Sequence, residues 1–207
     1  VMGIAPVALG VEDAPSVAHR LARLTHFRPY PVMAAAAVAR LLELILESGG
    51  GKKIDAQGLT QDLLQFVKER EEEYNAENRR AWRELGWGTP PVPFHEALAP
   101  LPSLLREEND DLATRTIVNT AMQCSPQFRV THPQHGFAPA SLSWAIYRAL
   151  GSLPAVRAME DVINRGGETS ATGSLVCALL GARYGPQCLP DEWYEQTLVV
   201  RLAAEIW

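Results

Sequence analysis

Apolar positions along this chain recur with a helical period. Val17, Leu21 and Leu24 fall at i, i+4 and i+7, one stripe of an α-helix. The Pro15-Ser16 pair ahead of them reads as its start, with Ser16 available as a cap. Pro29 and Pro31 are expected to break that helix, and a second is predicted over 32–46. Its run Ala34-Ala35-Ala36-Ala37 combines high helix propensity with side chains small enough for close helix–helix contact. Gly49-Gly50-Gly51 ends it, as a glycine C-cap would.

After a polar turn over 52–57, a third helix is predicted over 59–82, apolar at Leu63, Leu64, Phe66 and Val67. Its middle, Lys68-Glu69-Arg70-Glu71-Glu72-Glu73, reads as a solvated face, which makes 59–85 the most exposed, protruding helix. Residues 86–102 hold five of the fifteen prolines and are expected to form a mostly irregular loop. Further helices are predicted over 111–123, 139–150, 153–163, 170–180 and 192–206. Alternating β patterns and internal repeats are lacking. The expectation is one compact all-α domain over 1–207.

Composition narrows the class. A chain of 207 residues can bury about 70% of its unfolded surface around one core. With 47% hydrophobic residues it is not a disordered polypeptide. The net charge of −5 comes without a basic stripe, so no nucleic-acid partner is expected. The uncharged stretches fall short of the ~20 apolar residues of a membrane span. No secretory leader opens the sequence, and Cys124, Cys177 and Cys188 form no CxxC pair. Reduced thiols in a cytoplasmic protein are the expectation.

Motif chemistry is sparse. His19, His26, His95, His132 and His135 lie in no HExxH, and His132-Pro133-Gln134-His135 reads as a surface loop. There is no nucleophile elbow, P-loop or GxGxxG. The unusual stretch is Gly166-Gly167-Glu168-Thr169-Ser170-Ala171-Thr172-Gly173-Ser174, two glycines followed by one carboxylate and four hydroxyls at a helix start. Such a set either caps the helix and makes its turn, or offers oxygen donors to a hard cation. Asp110 and Asp111 follow Glu107-Glu108 in a run that reads as solvated and are not assigned to this loop.

This stretch, continued by Ala178-Leu179-Leu180-Gly181-Ala182-Arg183-Tyr184-Gly185 and Leu189-Pro190-Asp191-Glu192-Trp193, resembles the C-terminal signature of the ADP-ribosylglycohydrolase family. Three weaker stretches fit in the same order. Met2-Gly3-Ile4-Ala5-Pro6 resembles the tail of a glycine-rich loop, and Leu24-Thr25-His26 resembles an L-T-H motif ahead of an alanine-rich helix. Gly136-Phe137 through Leu142, with Trp144-Ala145 and Tyr147, resembles the segment ahead of the last metal loop.

The resemblance implies an all-α fold and two Mg²⁺ ions held between an N-terminal Thr-Asp-Asp cluster and the C-terminal aspartates. It implies hydrolysis of the bond joining ADP-ribose to a protein side chain. Carried over by position, Gly3, Thr25, His26, Gly166 and Gly167 are the expected ligand-binding residues, and Glu168, Ser170 and Thr172 the expected metal ligands. The departures are specific. Glu168 and Ser170 stand where the family has aspartates, Ala171 replaces a hydroxyl, and Gly3 stands at an arginine position. The family's N-terminal acidic cluster has no counterpart in the sequence. The expectation is therefore a partial or degenerate member with absent or weak Mg²⁺ binding and no activity alone; the alternative is a non-catalytic structural or partner-binding subunit of a larger complex. The apolar faces over 32–46 and 174–180 are expected to lie uncovered until another protein chain, or a second copy, packs on them.

Overall fold

The computed structural model describes residues 4–26, 28–51, 53–84, 92–124 and 129–195. Gly3, residue 85 of the expected protruding helix, residues 86–91 of the expected loop and 196–206 of the last expected helix lie outside them. The elements are α1 (Val7–Gly10), α2 (Ala14–Ala22), α3 (Pro29–Glu47), α4 (Ala56–Glu84), α5 (Phe94–Leu98), α6 (Leu101–Glu107), α7 (Asp110–Cys124), α8 (Ala138–Leu150), α9 (Ala155–Asn164), α10 (Thr169–Tyr184) and α11 (Asp191–Glu195). No strand occurs among the described residues, and the fold is all-α.

The prolines behave differently from the expectation. Helix α2 already ends at Ala22, and Pro29 and Pro31, instead of breaking it, form the first turn of α3. A helix's first N–H groups have no intrahelical partner, so a proline there loses nothing. The same rule corrects the irregular loop over 86–102. Pro93 precedes α5, Pro100 precedes α6, and Pro102 sits in the first turn of α6.

Helices α3 and α8 form the centre. Val32 through Ala39, then Leu41, Leu42, Leu44 and Ile45 of α3 are buried, as is every residue of α8 from Pro139 to Leu150. The α3 alanines let α2 pack closely along it, while α4, α8 and α10 cover its other sides. By length and composition α3 is apolar enough to cross a bilayer, contrary to the count of uncharged stretches, yet 72% of its apolar window is buried within the chain. The expectation of uncovered faces on α3 and α10 fails for the same reason. Leu175, Val176, Leu179 and Leu180 of α10 are buried too.

The charge run on α4 is only partly solvated. Lys68, Glu69, Glu72 and Glu73 are exposed, but Glu71 is 6% exposed. Its carboxylate accepts the Phe94 N–H at 2.5 Å, the His95 N–H at 3.2 Å and the His95 ring at Nδ1, 2.9 Å away. Glu71 thus satisfies the free N–H groups that open α5, a cap supplied from another helix.

Candidate functional site

Three long helices run parallel, with their starts at one end of the molecule. At the far end Arg183 of α10 joins their C-termini: its guanidinium donates to Ala149 O (2.8 Å) and Gly151 O (3.0 Å) after α8, and to Gly51 O (3.4 Å) after α3. The Gly51 N–H returns a bond to Arg183 O. Burial pulls the Arg183 guanidinium below its ordinary pKa, a cost that these carbonyl acceptors offset.

At the near end, Tyr30 in the first turn of α3 meets Phe137 edge-on, with centroids 5.7 Å apart. Phe137 is the residue from which α8 starts. Beside it, Gly136 lies so close to Glu168 that a Cβ there would meet Glu168 Cγ at 2.8 Å. The starts of α3, α8 and α10 therefore share one end. Aligned peptide dipoles leave partial positive charge at such an end, which favours anionic groups.

The Gly166-Gly167-Glu168 turn is built against the 132–136 loop. Glu168 N–H donates to Gln134 O at 2.7 Å. The fully buried Gln134 side-chain amide donates to Gly166 O (2.9 Å) and Val162 O (3.0 Å). Both glycines have φ +78, left-handed backbone in which a side chain is strained. Gly167 also sits flat against Gln134 O and the His132 ring. The segment matched ahead of the metal loop is thus in direct contact with that loop. Gln134 was missed because one glutamine in a polar loop carries no pattern of its own. The surface-loop expectation holds for His135, which is exposed; His132 is half-buried behind Gly167.

The expected metal ligands do not stay together. Glu168 and Ser170 are exposed, and the Ser170 carbonyl accepts the Ser174 hydroxyl at 2.8 Å. Thr172 is fully buried, and its hydroxyl has no partner among the described residues. Mg²⁺ takes six oxygens at tight octahedral distances, and two such ions need several fixed carboxylates. This turn offers one. Among the described residues no group of three or more His, Cys, Asp or Glu converges to hold a metal. The donor set does not fit a two-Mg²⁺ centre.

The expected ligand residues Thr25 and His26 follow α2 and lie just ahead of Arg28, from which α3 starts. Both are exposed, and Thr25 Oγ1 is 2.8 Å from His26 Nδ1. When the Thr25 hydroxyl donates to Ala22 O (3.4 Å), the ring donates Nδ1–H to Oγ1 and presents Nε2 as an acceptor. The pair stands at the same end as the Gly166–Glu168 turn.

Comparison with known proteins agrees with this all-helical architecture. No curated protein and no solved structure matches the chain. A family model does, from residue 1 to residue 206, and on that match the chain belongs to the ADP-ribosylglycohydrolase family.

Proposed function

We propose that this chain recognises ADP-ribose at the end where α3, α8 and α10 start, and that alone it does not hydrolyse ADP-ribosyl bonds. The observation carrying the reading is the donor set of the Gly166–Thr172 turn: one carboxylate and three hydroxyls, of Thr169 (half-buried), Ser170 (exposed) and Thr172 (buried). Prolines remove N–H groups from the starts of α3 and α8, so the start of α10, which has no proline, is the one that suits a diphosphate. His26, its ring fixed by Thr25, stacks on or hydrogen-bonds a nucleotide-like ligand, and Gly166 and Gly167 let the main chain approach it closely. Gly3, expected beside them, lies outside the described residues.

The test is calorimetric titration of the chain with ADP-ribose, with and without Mg²⁺, together with release of ADP-ribose from modified arginine and serine. Binding that does not depend on Mg²⁺, without release, is the expected result. Turnover that needs Mg²⁺ and disappears in Glu168→Ala would overturn it.

A second reading, a partner-binding subunit, is favoured by one feature beside this end. Leu24 is 79% exposed and Leu21 43%, next to Thr25 and His26. Two bare leucines beside a ligand end suit a protein partner better than water. Sizing of the chain against Leu24→Ser tests this: an associating species that the variant disperses supports it, and a monodisperse monomer removes it.

A further inference from the structure

Asp110, set aside in the sequence as part of a solvated run, is tied to the residue that opens the glycine turn. Trp144 of α8 is fully buried, and two guanidinium groups lie over its ring: Arg148 at 4.3 Å and Arg165 at 4.5 Å from the centroid. Arg148 grips Asp110 with both terminal nitrogens, at 2.9 and 2.6 Å. Its Nε lies 2.9 Å from Asp161 Oδ2. Arg165 grips the same Asp161 through Nε (3.2 Å) and a terminal nitrogen (2.8 Å), and approaches Asp110 at 3.8 Å. Tyr147 adds its hydroxyl to Asp110 at 3.1 Å. Two arginines and two aspartates thus balance in charge around one indole, joining α7, α8 and α9.

Arg165 closes α9, its N–H bonded to Asp161 O, and the next residue is Gly166. A glycine pair with left-handed backbone has little stiffness of its own. Its direction is set by what holds its ends. On one side Gln134 takes Gly166 and Glu168; on the other, the forked and stacked Arg165 fixes the point from which the turn departs. Planar guanidinium suits this because it can fork on a carboxylate and stack on a ring at once, which an ammonium cannot.

We infer that Arg165, held by Trp144, Asp161 and Asp110, is a positioning residue for the Gly166–Glu168 turn. For its consequence on ligand affinity the inference rests on the proposed ADP-ribose reading; the placement of the turn does not. The experiment is amide hydrogen exchange on Arg165→Gln and Arg165→Lys, with Leu63→Ala in α4 as a variant destabilised far from the turn. Exchange at Glu168 and Thr172 is expected to rise at least tenfold beyond the general change in both Arg165 variants, because lysine keeps the charge but not the fork. Leu63→Ala is expected to show no such local excess. Equal rises in all three variants, or full rescue by lysine, would overturn the inference. Should Arg165→Gln not fold, Arg165→Lys and Trp144→Phe give the same reading. In parallel, titration with ADP-ribose is expected to weaken at least tenfold in Arg165→Lys. Absence of binding to the unaltered chain would count against the proposed function and leave the exchange result standing.

Discussion

The amide of Glu168 donates to the carbonyl of Gln134 at 2.7 Å, so the main chain at the first acidic position of the matched loop is fixed by a residue outside the loop. The bond places Glu168 beside Gly136 at the start of α10, while its side chain remains exposed. The turn is a joint between two segments of the chain, and its chemistry depends on both.

Gly166 and Gly167 share φ +78 but not their surroundings. A Cβ at Gly166 meets open space, whereas one at Gly167 meets Gln134 O and, at 2.9 Å, His132 Nδ1. Gly166→Ala is expected to cost about 1 kcal/mol from backbone strain alone. Gly167→Ala adds displacement of the 132–136 loop and is expected to cost about 2–4 kcal/mol. Urea denaturation of the pair reads the difference, and equal costs would refute the close packing.

Glu71 and Glu72 are neighbours with different roles. Glu71→Ala leaves the N–H groups of Phe94 and His95 without their acceptor and is expected to cost about 2–3 kcal/mol. Glu72→Ala, whose carboxylate is exposed and pairs with the exposed Arg79, is expected to change stability by less than about 0.5 kcal/mol. Thermal melts of both variants check this.

Acid acts first on His19. It is 2% exposed and stacks on Tyr74 at 4.0 Å; burial, with Arg23 adding to it, pulls its pKa from 6.5 to about 4. The unfolded chain therefore takes up the proton first, and stability falls as pH drops from about 6.5 towards 4, then levels. Asp110 titrates lower: burial raises its carboxyl, but bonds from Arg148 outweigh that and hold it below 3.8. Its stabilising contribution is lost only as pH falls below that value. Urea midpoints between pH 7.5 and 4.5 should fall in the native chain and flatten in His19→Gln.

Thiol chemistry should discriminate by burial. Cys124 is fully buried and its pKa is pushed up to about 11. Cys188 is half-buried and also raised. With iodoacetamide at pH 8, mass spectrometry should find Cys188 labelled while Cys124 stays intact, because attack requires an exposed thiolate.

His26→Ala should weaken ADP-ribose binding in the calorimeter by about tenfold, the value of one good hydrogen bond to a ligand. An unchanged affinity would remove His26 from the site.

Much of the helical frame was legible because buried faces repeat every 3.6 residues: 139–150 falls within one residue of α8, and 32–46 lies inside α3. Proline hides helix starts, since the same ring breaks and begins helices: the pattern starts α3 at 32 instead of Pro29 and leaves α6, with Pro102 in its first turn, outside any expected helix. The glycine turn was legible from its unusual composition. Its supports were not. Glu71 meets Phe94 across 23 positions, and Arg148 meets Asp110 across 38, pairings no local pattern encodes. Thr172 looked like one more oxygen beside Glu168, but α10 turns its hydroxyl into the interior.

Arg183 and Gly51 stand 132 positions apart, and this spacing governs how the chain acquires its core. Helix α3 is complete early in synthesis, with α2 before it and α4 soon after, yet the side that α8 and α10 cover waits for them. At roughly 5–20 residues per second, the ribosome leaves that side open for about 7–26 s. Apolar surface left open in this way is prone to off-pathway contacts, and such late closure slows folding. The guanidinium that locks the three helix ends is therefore a clock as much as a clasp.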